Sequence, residues 1–207
     1  MNEQQILPRA SMLRLELYLE VLEQLMREGR DHVTSNEIGE ALGISAVKVR
    51  QDLFRLGTDG KPKVGYEVAK LTQLIRSVFH LDQMKSACLV GCGNLGKALV
   101  GSNVWAKAGF KLVAVFDNDP NVIGTEVNGF RIRSIAEIFG VLKAEQVRTG
   151  VITVPGPAAQ TIADLLVSAG VKAIWNFAPV KLHVPSDVVV ENQSLAWGLI
   201  TLSYFMK

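Results

Sequence analysis

The apolar positions of this chain change their rhythm once. Up to about Leu81 every strong pattern is helical, and from about Ser86 short β-branched runs alternate with helical stretches, as in a parallel sheet covered by helices. In the first part, Leu13, Leu15, Leu17, Leu19, Val21, Leu22 and Leu25 predict a long helix from about Ser11 to Glu28, stopped by Gly29. Thr34, with Glu37 three residues on, forms a capping box that opens a short helix to Leu42. Gly43 breaks that helix, and Ser45 is placed to cap a third one running to about Leu56. Gly57 to Tyr66 has hairpin composition, and an amphipathic helix over about Val68 to Phe79 follows.

The second part opens with a strand at Ala87–Val90, the turn Gly91-Cys92-Gly93-Asn94-Leu95-Gly96, and a helix from Leu95 to Lys107. A strand at Lys111–Phe116 ends at Asp117, and Asn128-Gly129 marks a small hairpin. The pattern then gives a strand at Gly150–Val154, Pro155-Gly156-Pro157, a helix from Ala158 to Ala169, and strands at Lys172–Asn176 and Val188–Val190. A last apolar helix covers about 194–206. There is no internal repeat and no low-complexity segment.

Composition narrows the class. A hydrophobic fraction of 48% with 20% charged residues is ordinary for a globular protein, and no run reaches the roughly 20 apolar residues needed to span a bilayer. The polar stretch Met1 to Arg9 lacks the apolar core of a secretory signal. Cys88 and Cys92 are the two cysteines and sit across a strand end, which argues against a disulfide framework. A cytoplasmic protein without a membrane partner is expected. The net charge of +2 does not by itself announce a nucleic-acid binder, and the first 82 residues carry slightly more acid than base.

The glycine turn supplies the clearest chemistry. A pyrophosphate needs free amides at a helix N-terminus and a backbone it can approach closely. Gly91 permits the tight turn, Gly93 clears space for phosphates, and Gly96 lets the helix pack on the sheet. Asp117 ends the next strand, about 20 residues past the last glycine, where an acid accepts both ribose hydroxyls and repels the extra phosphate of NADP. NAD(H) is therefore the expected cofactor. The competing possibility is a structural turn with a solvated Asp. Cys92 at a helix N-terminus could be a reactive thiol of depressed pKa; the plainer alternative is a small residue tolerated in the turn. No catalytic triad, carboxylate pair or metal-ligand spacing accompanies the turn, so binding without turnover is expected rather than an enzyme.

A short capped helix, a glycine turn and a second helix have the helix-turn-helix layout. On the third helix Val49, Leu53 and Leu56 share a core face, whereas Lys48, Gln51 and Arg55 share the opposite face with Arg50 beside it. Such side chains suit base edges and phosphates in a major groove. The hairpin carries Lys61 and Lys63 as a candidate wing. Ser45, Lys48, Arg50, Gln51, Arg55, Lys61 and Lys63 are the candidate DNA-binding residues. The bland alternative is a solvated face of a small helical domain.

Together these residues resemble the Rex family of redox-sensing transcriptional repressors over nearly the whole chain. The markers are Pro8-Arg9-Ala10 with Arg14-Leu15, Val49-Arg50-Gln51-Asp52-Leu53, Val64-Gly65-Tyr66, the turn Gly91 to Gly96, Phe116-Asp117 and Ile123-Gly124-Thr125-Glu126. Thr153-Val154-Pro155, Ala158-Ala159-Gln160 and Asn176-Phe177-Ala178-Pro179 complete them. The resemblance implies an α/β protein: an all-α winged-helix DNA-binding domain over 1–82, then a Rossmann-type doubly wound parallel sheet over 83–207. It implies a homodimer on a double-stranded DNA operator, with the last helix exchanged between subunits, and release of the operator when NADH, but not NAD+, binds. To the turn residues and Asp117 it adds Asn118, Thr153, Val154, Pro155, Asn176 and Phe177 as cofactor-binding positions.

Departures from the family pattern matter as much. An Arg on the first long helix, a Tyr after the glycine turn and an Asp at the start of the final helix commonly link redox state to conformation; the matching positions here are Glu20, Ser102 and Ser194. Gln51 replaces a basic residue, Phe54-Arg55-Leu56-Gly57 replaces Ser-Tyr-Phe-Gly, and Pro62-Lys63 replaces the wing's Arg-Gly. Altered NADH/NAD+ discrimination is expected, and either a base preference different from the family's typical operator or a lower operator affinity. An NAD(H)-insensitive DNA-binding paralogue, or a small NAD-dependent enzyme dimerised by its helical part, are the rivals.

Overall fold

The structure, a computed structural model, describes residues 7–206. The start of the polar N-terminal stretch and of the first expected domain, residues 1–6, lies outside the described residues, as does Lys207. The chain forms two compact units, Met1–Asp82 and Gln83–Lys207.

In the first unit α1 (Arg9–Arg27) is followed by β1 (His32–Val33), α2 (Ser35–Leu42), α3 (Ala46–Arg55), β2 (Tyr66–Glu67) and α4 (Val68–Val78). Its core is made of Leu15, Tyr18, Leu22, Ile38, Val49, Leu53 and Ile75, all fully buried. The capping box forms as the spacing requires: the Glu37 amide donates to Thr34 Oγ1 and the Thr34 amide to Glu37 Oε2. Those amides, with the Arg30 guanidinium, hold the Glu37 carboxyl down at about 2. Gly43 takes the left-handed conformation at φ +65° to end α2. A methyl group on Gly39 would sit 2.3 Å from the Ile44 carbonyl oxygen, so a glycine is what lets α2 and α3 turn closely.

The segment from Gly57 to Tyr66 corrects a detail. It does not pair across its own turn beyond a bridge between Lys61 and Gly65; β2 pairs instead with β1, antiparallel, with Val33 opposite Tyr66. The helical unit therefore contains a two-stranded sheet. Two residues at His32–Val33 are too short to show alternation, which hid that strand in the sequence.

The second unit begins with β3 (Lys85–Val90), α5 (Asn94–Val100), α6 (Val104–Lys107) and β4 (Phe110–Asp117). The small hairpin β5 (Glu126–Val127) and β6 (Phe130–Arg131) turns through Asn128 and Gly129 at φ 48° and 81°, as a two-residue hairpin loop demands. Then come β7 (Arg133–Ser134), α7 (Ile138–Ala144), β8 (Thr149–Ile152), α8 (Gly156–Ser168), β9 (Ala173–Asn176), β10 (Val189–Asn192) and α9 (Leu195–Phe205). The six long-range strands lie in the order β10-β9-β8-β3-β4-β7, and every neighbouring pair is parallel. Numbered from β3, this is the doubly wound 3-2-1-4-5-6 order, whose direction reverses between β3 and β8. Both faces are covered: Cys88 and Val90 point into a core with Phe116, Ile138 and Leu166, and Ala87 and Leu89 into one with Val115, Trp105 and Val151.

Two expectations change here. The helix expected from Leu95 to Lys107 is broken at Gly101–Asn103, where the Val104 amide donates to Ser102 Oγ and starts α6 anew. Helix α7, unmarked in the sequence reading, is announced by Ser134 and Glu137, which form a second capping box. Helix α9 buries none of its residues: Leu195, Trp197, Leu199, Ile200, Leu202, Tyr204 and Phe205 are all exposed. Among the described residues, no helix is long and apolar enough to cross a membrane.

Candidate nucleotide and nucleic-acid sites

The glycine turn leaves the carboxyl end of β3 at the point where the sheet order reverses, the usual place for a ligand in an open α/β sheet. Gly91 has φ +101°, and a methyl group there would press on Val154 Cγ1 and on the Thr153 carbonyl carbon at 2.8 and 2.9 Å. A methyl group on Gly96 would lie 2.0 Å from the Gly91 carbonyl oxygen. These two glycines are demanded by the turn itself. Gly93 is different: it is exposed, its φ is −71°, and a methyl group there would meet nothing within 4 Å. Its backbone stands open to an incoming group. Asn94 is exposed beside it and Leu95 is half-buried.

Asp117 ties the turn to the end of β4. Its Oδ2 accepts the Cys92 amide at 2.6 Å, and its Oδ1 accepts the amides of Asn118 and Asp119 at 2.7 and 2.9 Å. A carboxylate has about four lone-pair sites, so one is left for a hydroxyl. Thr153 is spent locally, its hydroxyl donating to the carbonyls of Gly91 and Val90 at 2.6 and 3.1 Å. Half-buried Val154 and exposed Pro155 lead into α8 opposite the turn. Asn176 is fully buried: Nδ2 donates to the Ala178 and Val180 carbonyls and to Asn192 Oδ1, and Oδ1 accepts the Ala178 amide. Its side chain shapes the β9 end without facing outward, while the half-buried ring of Phe177 packs on Trp175 at 4.4 Å. Burial, and next the Asp117 carboxylate, push the Cys92 thiol up, opposite to what a reactive thiolate needs.

In the first unit, α3 is clamped by a group of buried polar residues that the sequence reading missed. Asp52, whose side chain is fully buried, accepts from Ser11 Oγ at 3.0 Å, Arg14 Nε and Nη2 at 2.6 and 2.9 Å, and Tyr18 OH at 3.0 Å. Burial alone would raise this carboxyl; Arg14 and the two hydroxyls together bring it below the ordinary aspartate range. Burial, and then Asp52, push the Tyr18 phenol up to about 12. An apolar stripe interrupted by an acid at Asp52, with Arg14 and Tyr18 spaced i, i+4 on α1, was the available signal.

That clamp also sets which side chains face outward. Arg55 turns back, donating to Ser11 Oγ at 3.2 Å with Asp52 Oδ1 at 3.7 Å, and Lys48 is half-buried, so both stand on the flank of α3. The fully outward stripe is Val47, Arg50, Gln51 and Phe54, at i, i+3, i+4 and i+7. Arg50 Nη1 donates to Ser35 Oγ at 3.0 Å, which holds the guanidinium over the start of α2. Exposed Ser45 caps α3, accepting the Lys48 amide at 3.3 Å. Arg50, Gln51 and Phe54 line a groove of about 560 Å³ whose far wall carries Lys61, Pro62 and Lys63. Lys63 is itself left-handed at φ 64°, at the position where the resembled family has glycine. Glu20 is exposed on α1, Ser102 is half-buried and accepts the Val104 amide at the start of α6 at 3.1 Å, and Ser194 is exposed ahead of α9.

Comparison with known proteins covers both units. A family model described as a CoA binding domain matches residues 82–180, and one described as a putative DNA-binding protein N-terminus matches residues 6–53. The redox-sensing transcriptional repressor Rex of Desulfitobacterium hafniense is 43% identical over 96% of this chain and 94% of its own. That of Clostridium beijerinckii is 40% identical over 100% of this chain and 98% of its own. Among solved structures, RSP in complex with β-NAD+ and operator DNA superposes with a TM-score of 0.92 at 34% identity, covering 98% of this chain and 93% of RSP. RSP in complex with β-NADH gives 0.88 at 33% identity, covering 98% and 95%.

Proposed function

The chain belongs to the Rex family of redox-sensing transcriptional repressors, and we propose from that premise how its residues divide the work. It is a DNA-binding repressor that responds to NAD(H), not an enzyme. The observation that carries this is the match, over nearly the whole chain, to a repressor solved with NAD+ on operator DNA and with NADH.

The pyrophosphate is assigned to the turn from Gly91 to Gly96 and the facing segment Val154–Pro155. The exposure of the Gly93 backbone, which nothing in the fold requires, supports that assignment. Asp117, with Asn118 beside it, is assigned to the adenosine ribose through its remaining lone pair, which also disfavours coenzyme A, whose ribose bears a phosphate. Thr153, Asn176 and Phe177 act by shaping the strand ends. On the DNA side, Arg50 and Gln51 are assigned to base edges, and Ser45, Lys48, Arg55, Lys61 and Lys63 to the phosphates around them. The exposed apolar α9 is assigned to a homodimer, exchanged onto a second copy. The site of action is the cytoplasm, where the operator is.

Glu20 puts a carboxylate where the family commonly has a cation, and Ser102 and Ser194 lack the phenol and the carboxylate that it commonly has at those positions to sense the nicotinamide charge. The two redox forms should therefore bind with comparable affinity. Calorimetric titration with NADH, NAD+ and coenzyme A tests these assignments together. Tight binding of both nicotinamide forms and none of coenzyme A is expected. A strong preference for NADH would show that the three substitutions do not matter, and tight coenzyme A binding would remove Asp117 from its role.

A further inference from the structure

A major-groove reader tells thymine from the other bases by its C5 methyl group, which calls for an apolar partner; adenine, through N6 and N7, calls for an amide. The outward stripe of α3 offers both. Phe54 is 67% exposed and Val47 54% exposed, two turns apart, and between them lie Gln51 and Arg50. Neither ring nor isopropyl group belongs to the core of this unit, which is built from the other side of the helix. Phe54 lines the same groove as Arg50, Gln51, Asn36 and Lys61, so an apolar surface sits among donors and cations suited to a polyanion. An aromatic ring held in water in that setting has no purpose in the fold.

The geometry points to Phe54 as a specificity residue that selects thymine in the operator through its methyl group, with Gln51 beside it to take an adjacent adenine. The resembled family has serine at this position, which has no comparable apolar surface. Phe54 thus gives this chain a base preference of its own. The inference rests on α3 being the recognition helix.

The test uses the full-length protein. DNA bound from a random pool is sequenced, and each thymine of the recovered site is then replaced, one at a time, by deoxyuridine, which removes only the methyl group. Affinity is read by fluorescence anisotropy at fixed salt. At one thymine per half-site the wild type should bind about fourfold more weakly once the methyl group is gone. Phe54→Ser should bind the thymine and uracil versions alike, and Phe54→Leu should keep part of the difference. Since Phe54 is exposed, both variants should melt with the wild type. Uracil substitution without effect at every position, or an effect undiminished in Phe54→Ser, would overturn the inference while leaving the recognition helix standing. Failure to enrich any DNA sequence would overturn the DNA-reading role of α3 itself, and this inference with it.

Discussion

A methyl group on Gly96 would press into the Gly91 carbonyl, whereas one on Gly93 would meet nothing. Substitution should separate the two. Gly96→Ala should lower the thermal stability of the second unit by about 3 kcal/mol, the cost of overpacking against fixed backbone. Gly93→Ala should leave the melting temperature unchanged and reduce nucleotide affinity in calorimetry; intact binding by that variant would move the phosphates elsewhere. Lys63 poses a smaller question, because a lysine in the left-handed region costs about 1–2 kcal/mol. Lys63→Gly should relieve part of that in thermal unfolding yet weaken operator binding and flatten its salt dependence by about one charge. The three turn glycines were legible in the sequence because their spacing encodes backbone geometry. The division between Gly91 and Gly96, which the turn needs, and Gly93, which it leaves open, was legible too; the atoms each one faces were not, since Val154 and Thr153 are distant in sequence.

Helix α3 was legible in the sequence on its buried face and not on its outward one. Its cap, its length and its buried Val49 and Leu53 follow from spacing. Its outward face does not, because Asp52 belongs to the core and the helix is rotated about that contact, leaving Lys48 and Arg55 on the flank. Placing Asp52 beside Val49 and Leu53 would have put Val47 and Phe54 opposite them. The clamp makes a measurable demand. Asp52→Asn leaves Arg14 without its counter-charge and should destabilise the first unit by about 3 kcal/mol or more. The pH dependence follows from the sign of the shift. A carboxyl lowered on folding contributes its stability above its unfolded value and loses it as pH falls through the folded one. Wild type should therefore lose stability on acidification below the ordinary aspartate range, and Asp52→Asn should lack that part of the loss while being weaker at neutral pH. Urea unfolding at a series of pH values checks both. The break between α5 and α6 was hidden for a related reason: a methyl group on Gly101 would meet the Asn128 side chain at 2.6 Å, and that residue is distant in sequence.

For the whole molecule, the change of rhythm near residue 82 and the alternation of strands and helices beyond it follow from hydrophobic periodicity; the 3-2-1-4-5-6 strand order does not, because which strands become neighbours is decided by tertiary packing. Helix α9 does not complete the unit it follows. With its large apolar side chains exposed, removing residues 195–207 should leave the second unit folded and convert a dimer to monomers in sedimentation. A dimer that survives the truncation would assign the interface elsewhere. Glu20, Ser102 and Ser194 lie in different elements, and it is the coupling between nucleotide and operator that their substitution bears on. Titrating full-length protein onto its selected operator at fixed salt, without nucleotide and then with saturating NADH or NAD+, measures that coupling directly. Operator affinity should change at least about fivefold with nucleotide, by similar amounts for the two redox forms, and in Gly93→Ala only at higher nucleotide concentrations. Identical affinity in all three conditions would contradict a repressor controlled by NAD(H).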